Sequence, residues 1–184
     1  MLWKIIAFGI ASLVLVYISR ASLRDPRSHG FHRFFAWEAI IALFLLNVDR
    51  WFVRPLAWYQ IISWVLLVVS IFPVVWGTVL LRQRGKPVEQ RAGEPSLLAF
   101  EKTTALVTTG IYRYIRHPLY SSLLLLEWGI FFKSPSWTGA ELAAAAAVFL
   151  LLTARADEAE CIRFFGPAYQ EYMRKTRRFL PFVF

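Results

Sequence analysis

Between residues 56 and 81 the chain runs without a single charged side chain. About 20 apolar residues in a helix cross the ~30 Å hydrocarbon layer of a bilayer, so this stretch is long enough to span one. Pro73 and Gly77 fall inside it and predict a kink midway. Further apolar segments cover residues 3–18, 34–48, 118–132 and 137–153, the second followed by Trp51 and Phe52 as interface anchors. Segment 118–132 rises only about 22 Å at the helical pitch and is expected not to span alone. The Lys133-Ser-Pro-Ser136 turn pairs it with segment 137–153 as a helical hairpin.

These segments predict an all-α polytopic membrane protein of about five transmembrane helices, with a C-terminal hairpin, a cytoplasmic loop and a C-terminal helix. Composition agrees. Hydrophobic residues make up 58% and charged residues 18%, with a mean hydropathy of +0.49, against roughly 45–50% and about 25% in an average globular chain. No repeat or low-complexity linker divides residues 1–184, which read as one membrane domain. Three N-terminal membrane helices occupy 1–81, and 82–184 form the part expected to carry chemistry.

The net charge of +9 sets the orientation. Of the 21 Lys and Arg residues, 17 lie in 20–33, 82–118 and 154–184. An external N-terminus with five crossings puts all of these in the cytoplasm, as the positive-inside rule requires. The excess charge is then directed at anionic headgroups and not at nucleic acid. Arg20 stands where a small-x-small cleavage site would lie, so the first segment is expected to stay on the chain. Cys161 is the only cysteine, which excludes intrachain disulfides and Cys-based metal sites. With no organellar address, a prokaryotic inner membrane is the expected location.

Polar residues gather in two stretches assigned to the same membrane side, 83–120 and 154–184. Pro118 suits the first turn of a helix, which places Arg116 and His117 at the entry of the fourth segment. The positive end of that helix dipole then faces the cytoplasmic side. Asp157, Glu158, Ile162, Phe165 and Tyr169 recur at helical spacings, predicting that the last membrane helix continues through them. The acids suit either a ligand or a solvated helix surface. Glu127 lies inside an apolar segment seven residues after Tyr120, where an ionisable side chain suggests function or a bonded structural carboxyl. Glu38 and Glu141 are expected to reach an interface. His29 and His32 sit in a basic loop without metal-ligand spacing and are expected at the surface. No strand leads into a Gly-rich turn, which excludes a soluble Rossmann-type enzyme.

Leu106-Val107, Gly110, Tyr112, Arg116-His117-Pro118-x-Tyr120, Asp157-Glu158, Phe165-Gly166, Tyr169, Tyr172, Thr176-x-Arg178 and Pro181 occur in that order. The set resembles the C-terminal signature of isoprenylcysteine carboxyl methyltransferases and related phospholipid methyltransferases, over roughly residues 104–182. The resemblance implies an integral membrane enzyme using S-adenosylmethionine and releasing S-adenosylhomocysteine. The cofactor would sit between the loop, the fourth helix and the extension of the fifth. Carried over by position, Thr104, Ala105, Leu106, Val107, Tyr112, His117, Pro118, Leu119, Tyr120, Asp157 and Glu158 are the implied cofactor residues. Tyr112 and Tyr120 would supply aromatic faces for the sulfonium. No catalytic residue is assigned. Glu127, Arg155 and Arg178 are candidates for positioning, and no metal is expected.

Two departures stand out. Ser121 and Ser122 follow Tyr120 where the family often has Gly. Thr153 occupies the position at which the eukaryotic prenylcysteine enzymes carry a substrate-binding arginine, with Arg155 nearby. The implied reaction is methylation of a lipophilic or prenylated acceptor, most like O-methylation of an isoprenylcysteine carboxylate. N-methylation of a phospholipid amine is the alternative. A membrane protein that binds lipids or a partner without catalysis is the alternative of another class.

Overall fold

The computed structural model describes residues 1–86 and 103–180. They form α1 (Leu2–Ser19), α2 (His29–Asn47), α3 (Trp58–Arg84), α4 (Pro118–Phe131), α5 (Trp137–Phe165) and α6 (Pro167–Lys175). Single 3-10 turns lie at Ser22–Arg24, Val48–Arg50 and Gly110–Arg113. No strand occurs among the described residues, only an isolated parallel bridge between Ile115 and Arg177. The protein is an all-α polytopic membrane protein: α1, α2 with its 3-10 extension, α3 and α5 are long and apolar enough to cross. The 14-residue α4 rises about 21 Å, short of the layer as expected.

Two tight helix pairs build the body, α2 with α5 and α3 with α4. In lipid, tails are as apolar as leucine, so close packing and interhelical hydrogen bonds drive association. The α2–α5 seam uses small side chains: Ala36, Ala143, Ala146 and Ala154 are wholly buried and let the backbones approach. Leu43 and Leu150 fill the remaining space. The α3–α4 seam adds hydroxyls. Ser63 Oγ donates to the Gly129 carbonyl at 2.6 Å and Ser122 Oγ to the Ser70 carbonyl at 2.7 Å, each worth about 0.6 kcal/mol in a bilayer. Gly77 and Gly129 leave room for Leu119 and Leu67 across this seam. Helix α1 buries nothing in the body and is tied on by Ser12 Oγ donating to Glu38 at 2.7 Å and by Lys4 paired with Asp49 at 2.7 Å.

Several expected features differ. Glu38 turns toward α1 and not to an interface. Helix α2 starts at His29, five residues before the apolar run, because Ser28 caps it by accepting the Phe31 N–H at 3.2 Å. Helix α5 stops at Phe165: Gly166 takes φ +60°, and Pro167 opens α6. Tyr169 therefore belongs to a separate helix. Lys133, counted among the loop charges, is buried under Trp64, its Nζ 3.2 Å from the ring centroid. It donates to Gln60 Oε1 at 3.1 Å, and Gln60 donates back to the Lys133 carbonyl at 2.9 Å.

Candidate active site

The site forms where the segment before α4, the C-terminal stretch of α5 and the segment after α6 meet. Thr104 and Ala105 N–H groups donate to the Gly85 carbonyl at 2.9 and 3.1 Å, fastening the loop to the end of α3. Gly110, at φ +62°, starts the 3-10 turn; a Cβ there would lie 2.5 Å from Leu80 Cδ1, so glycine is required on both counts. The turn buries Ile111 and Tyr112, and Tyr172 Oη of α6 donates to the Tyr112 carbonyl at 2.7 Å. Beyond α6 the chain returns alongside: Arg116 N–H donates to Arg177 O at 2.8 Å, His117 N–H to Arg178 O at 3.1 Å, and Ser121 Oγ to Phe179 O at 2.8 Å.

This return brings Arg178 onto the α5 acids. Glu158, 4% exposed, accepts from Arg178 Nε at 3.1 Å and Nη2 at 2.7 Å, and from Arg116 Nε at 2.9 Å. His117 lies between the acids, Nδ1 3.4 Å from Asp157 and Nε2 3.3 Å from Glu158. Burial alone would lower the His117 pKa. Its hydrogen bonds to Asp157 and Glu158 and their charges raise it instead. Tyr120 stacks on this ring at 5.3 Å and donates to Asp157 at 3.2 Å.

Behind the cluster opens a cavity of about 110 Å³. It encloses a ring-sized group; a larger ligand would extend through its mouth. Leu106, Val107, Tyr112, His117, Pro118, Leu119, Tyr120 and Asp157 line it, eight of the eleven residues assigned to the cofactor by resemblance. Thr104 and Ala105 stand outside on the loop, Thr104 donating to the Lys86 carbonyl at 2.9 Å. Glu158 supports His117 from behind. Of the positioning candidates, Arg178 is bound to Glu158, Arg155 is exposed on α5, and Glu127 is buried in α4 two turns from Tyr120. The expected sites at 87–102 and Pro181 lie outside the described residues.

Other walls were not legible as site residues: Leu81, Thr103, Glu160 and Cys161; Arg116, Phe165, Tyr169 and Tyr172 come from the signature but had no role assigned. His29 is also displaced from the expected surface. It is 1% exposed, its Nδ1 lies 2.6 Å from Glu160 Oε2, and its backbone N–H donates to Glu160 Oε1 at 2.8 Å. Ligand atoms of His29, Asp157 and Glu160 lie within 4.8 Å of one another. Two ligands on one ion at ~2.1 Å and a right angle would be about 3 Å apart. The 2.6 Å contact is that of a direct hydrogen bond between ring and carboxylate.

A polytopic helical body with a cavity walled by aromatics, aliphatics and acids at one end of its helices defines the class, a polytopic helical membrane protein. Residues 58–167 match the family model for phospholipid methyltransferase, and the chain belongs to that family. It is 27% identical over 155 residues to the methanethiol S-methyltransferase of Crocosphaera subtropica (strain ATCC 51142 / BH68). The similarity covers 82% of this chain and 55% of that protein, so the chain spans about half the length of the curated relative it matches. No solved structure gives a significant match.

Proposed function

We infer that the protein is an S-adenosylmethionine-dependent membrane methyltransferase acting on a lipophilic acceptor. The observation that carries this is the convergence of His117, Asp157, Tyr112 and Tyr120 on one cavity at the membrane end of α4, where the apolar core begins. When bound, S-adenosylmethionine supplies a methyl group already activated on a sulfonium. The chain's task is then chiefly positioning in line with the acceptor, without a covalent nucleophile. Tyr112 and Tyr120 present ring faces worth about 0.5–2 kcal/mol to a nearby cation. His117 faces a carboxylate with each ring nitrogen and is placed to hold and orient, with its hydrogen bonds committed to those acids. Asp157 is held between His117 and Tyr120 and gives the cavity a negative wall.

Charge also bears on the acceptor. The described bonds of Arg116 and Arg178 run to Glu158 and to backbone or hydroxyl oxygens, and Asp157 and Glu160 wall the cavity. Arg116 and His117 also line the cavity but are already paired with Glu158 and Asp157, so an entering carboxylate must compete with these acids for them, which disfavours isoprenylcysteine O-methylation. A thiol, neutral on arrival, suits the site and accords with the relative's printed activity. A phospholipid amine is the second reading, favoured by Glu127, whose two carboxyl oxygens are buried without a hydrogen-bond partner among the described residues. Membranes given radiolabelled methyl donor with an alkanethiol should yield a volatile labelled thioether. Label recovered in phospholipid headgroups would favour the amine, and label in base-labile esters would overturn the charge argument. No transfer to any acceptor would favour a binding protein.

A further inference from the structure

Both acceptors favoured above must shed a proton before or during attack, and the residues assigned by resemblance offer no group to take it. Both ring nitrogens of His117 already face carboxylates. Asp157 accepts from Tyr120, faces His117 and lies 3.6 Å from the Cys161 thiol. Glu158 is held by two arginines. Tyr172 donates to the Tyr112 carbonyl, and burial raises the pKa of both the Tyr169 and Tyr172 phenols and keeps them neutral.

One carboxylate on the cavity wall is held differently. Glu160 lines the cavity, is 4% exposed, and its bonds among the described residues run to His29. Both contacts come from a single residue at the start of α2, across 131 positions of sequence and outside the stretch that matches the family model. The backbone N–H and the ring fix the two oxygens of the carboxylate, and no guanidinium among the described residues competes for them.

We propose that Glu160, oriented by His29, takes the proton of the methyl acceptor. The proposal rests on the methyltransferase reading. For a thiol, the S–H bond breaks with its proton passing to Glu160. The acceptor sulfur's electron pair forms the new S–CH₃ bond, while the pair of the old methyl–sulfonium bond stays on the donor sulfur. The thioether product, neutral S-adenosylhomocysteine sulfur and a carboxylic acid at 160 result, and the acid then releases its proton to the cytoplasmic side. His29 acts through Glu160 and is a positioning residue.

The test uses full-length protein in detergent, measuring S-adenosylhomocysteine binding by calorimetry and the pH profile of methyl transfer to an alkanethiol. Glu160→Gln is nearly isosteric: its oxygen can still accept from the His29 N–H, and its NH2 can donate to Nδ1 of the other imidazole tautomer. It should bind S-adenosylhomocysteine within about threefold of wild type, lose at least tenfold in kcat, and lose the acidic limb of the profile. His29→Phe removes the ring that holds the carboxylate in place, so it should lower kcat at least fivefold while KM and S-adenosylhomocysteine binding stay near wild type. Unchanged kcat in both variants overturns the proposal. Should Glu160→Gln fail to fold, His29→Phe decides alone, a loss in kcat at unchanged binding supporting and an unchanged kcat overturning. Wild-type protein that neither binds S-adenosylhomocysteine nor transfers methyl defeats the function instead, a result distinguishable from failure of the Glu160 role.

Discussion

His117 owes its raised pKa to position. Its two ring nitrogens reach two carboxylates that follow one another on α5, and Tyr120 covers its face. Its folded-state pKa is raised above the ordinary 6.5 by those acids against the opposing effect of burial. The stability it contributes is therefore fully present below about pH 6.5 and is lost as pH rises through the raised value. Thermal unfolding across that window should show a falling midpoint, and His117→Gln should flatten the fall. Glu158→Gln leaves Arg116 and Arg178 without their shared counter-ion. Breaking a buried pair from one side costs on the order of 3–5 kcal/mol, so this variant should unfold at markedly lower temperature or denaturant concentration. These residues were legible because His117-Pro118-x-Tyr120 and Asp157-Glu158 stand in a recognisable order. Glu160 and His29 were not: neither has a local partner in sequence, and only the packing of α2 on α5 brings them together.

The helices follow the apolar pattern closely, and their ends follow local chemistry that the pattern does not carry. Ser28 extends α2 backward, and Gly166 with Pro167 divides α5 from α6. That break turns Tyr169 and Tyr172 back over the cavity, which a continuous helix would carry away from it. The short α4 depends on its seam with α3, where a Cβ on Gly129 would lie 2.9 Å from the Leu67 side chain and 3.2 Å from its backbone nitrogen. Gly129→Ala should therefore destabilise by about 1–3 kcal/mol through overpacking. Gly9→Ala, with nothing within 4 Å, should hold or raise stability through helix propensity. Unfolding of the two variants in one detergent compares them directly.

Across the whole molecule, the polar site lies at one end of the helices and the lysine cage around Lys133, Gln60 and Trp64 at the other. Charge counting assigns the site end to the cytoplasm. In a Cys161→Ser background, Pro135→Cys should react with an impermeant maleimide in intact cells, and Arg155→Cys should react only after the membrane is opened; the reverse pattern inverts the orientation. The number of helices and their order were readable from hydropathy. The cavity was not, because it is made by three segments that meet only once the bundle has formed. Its role is most directly tested by titrating S-adenosylhomocysteine into the purified protein and its His117→Ala and Tyr120→Phe variants. Saturable binding to wild type, weakened at least tenfold by His117→Ala and less by Tyr120→Phe, is the predicted result. Equal binding by all three, or none by folded wild type, would contradict a cofactor site built around His117.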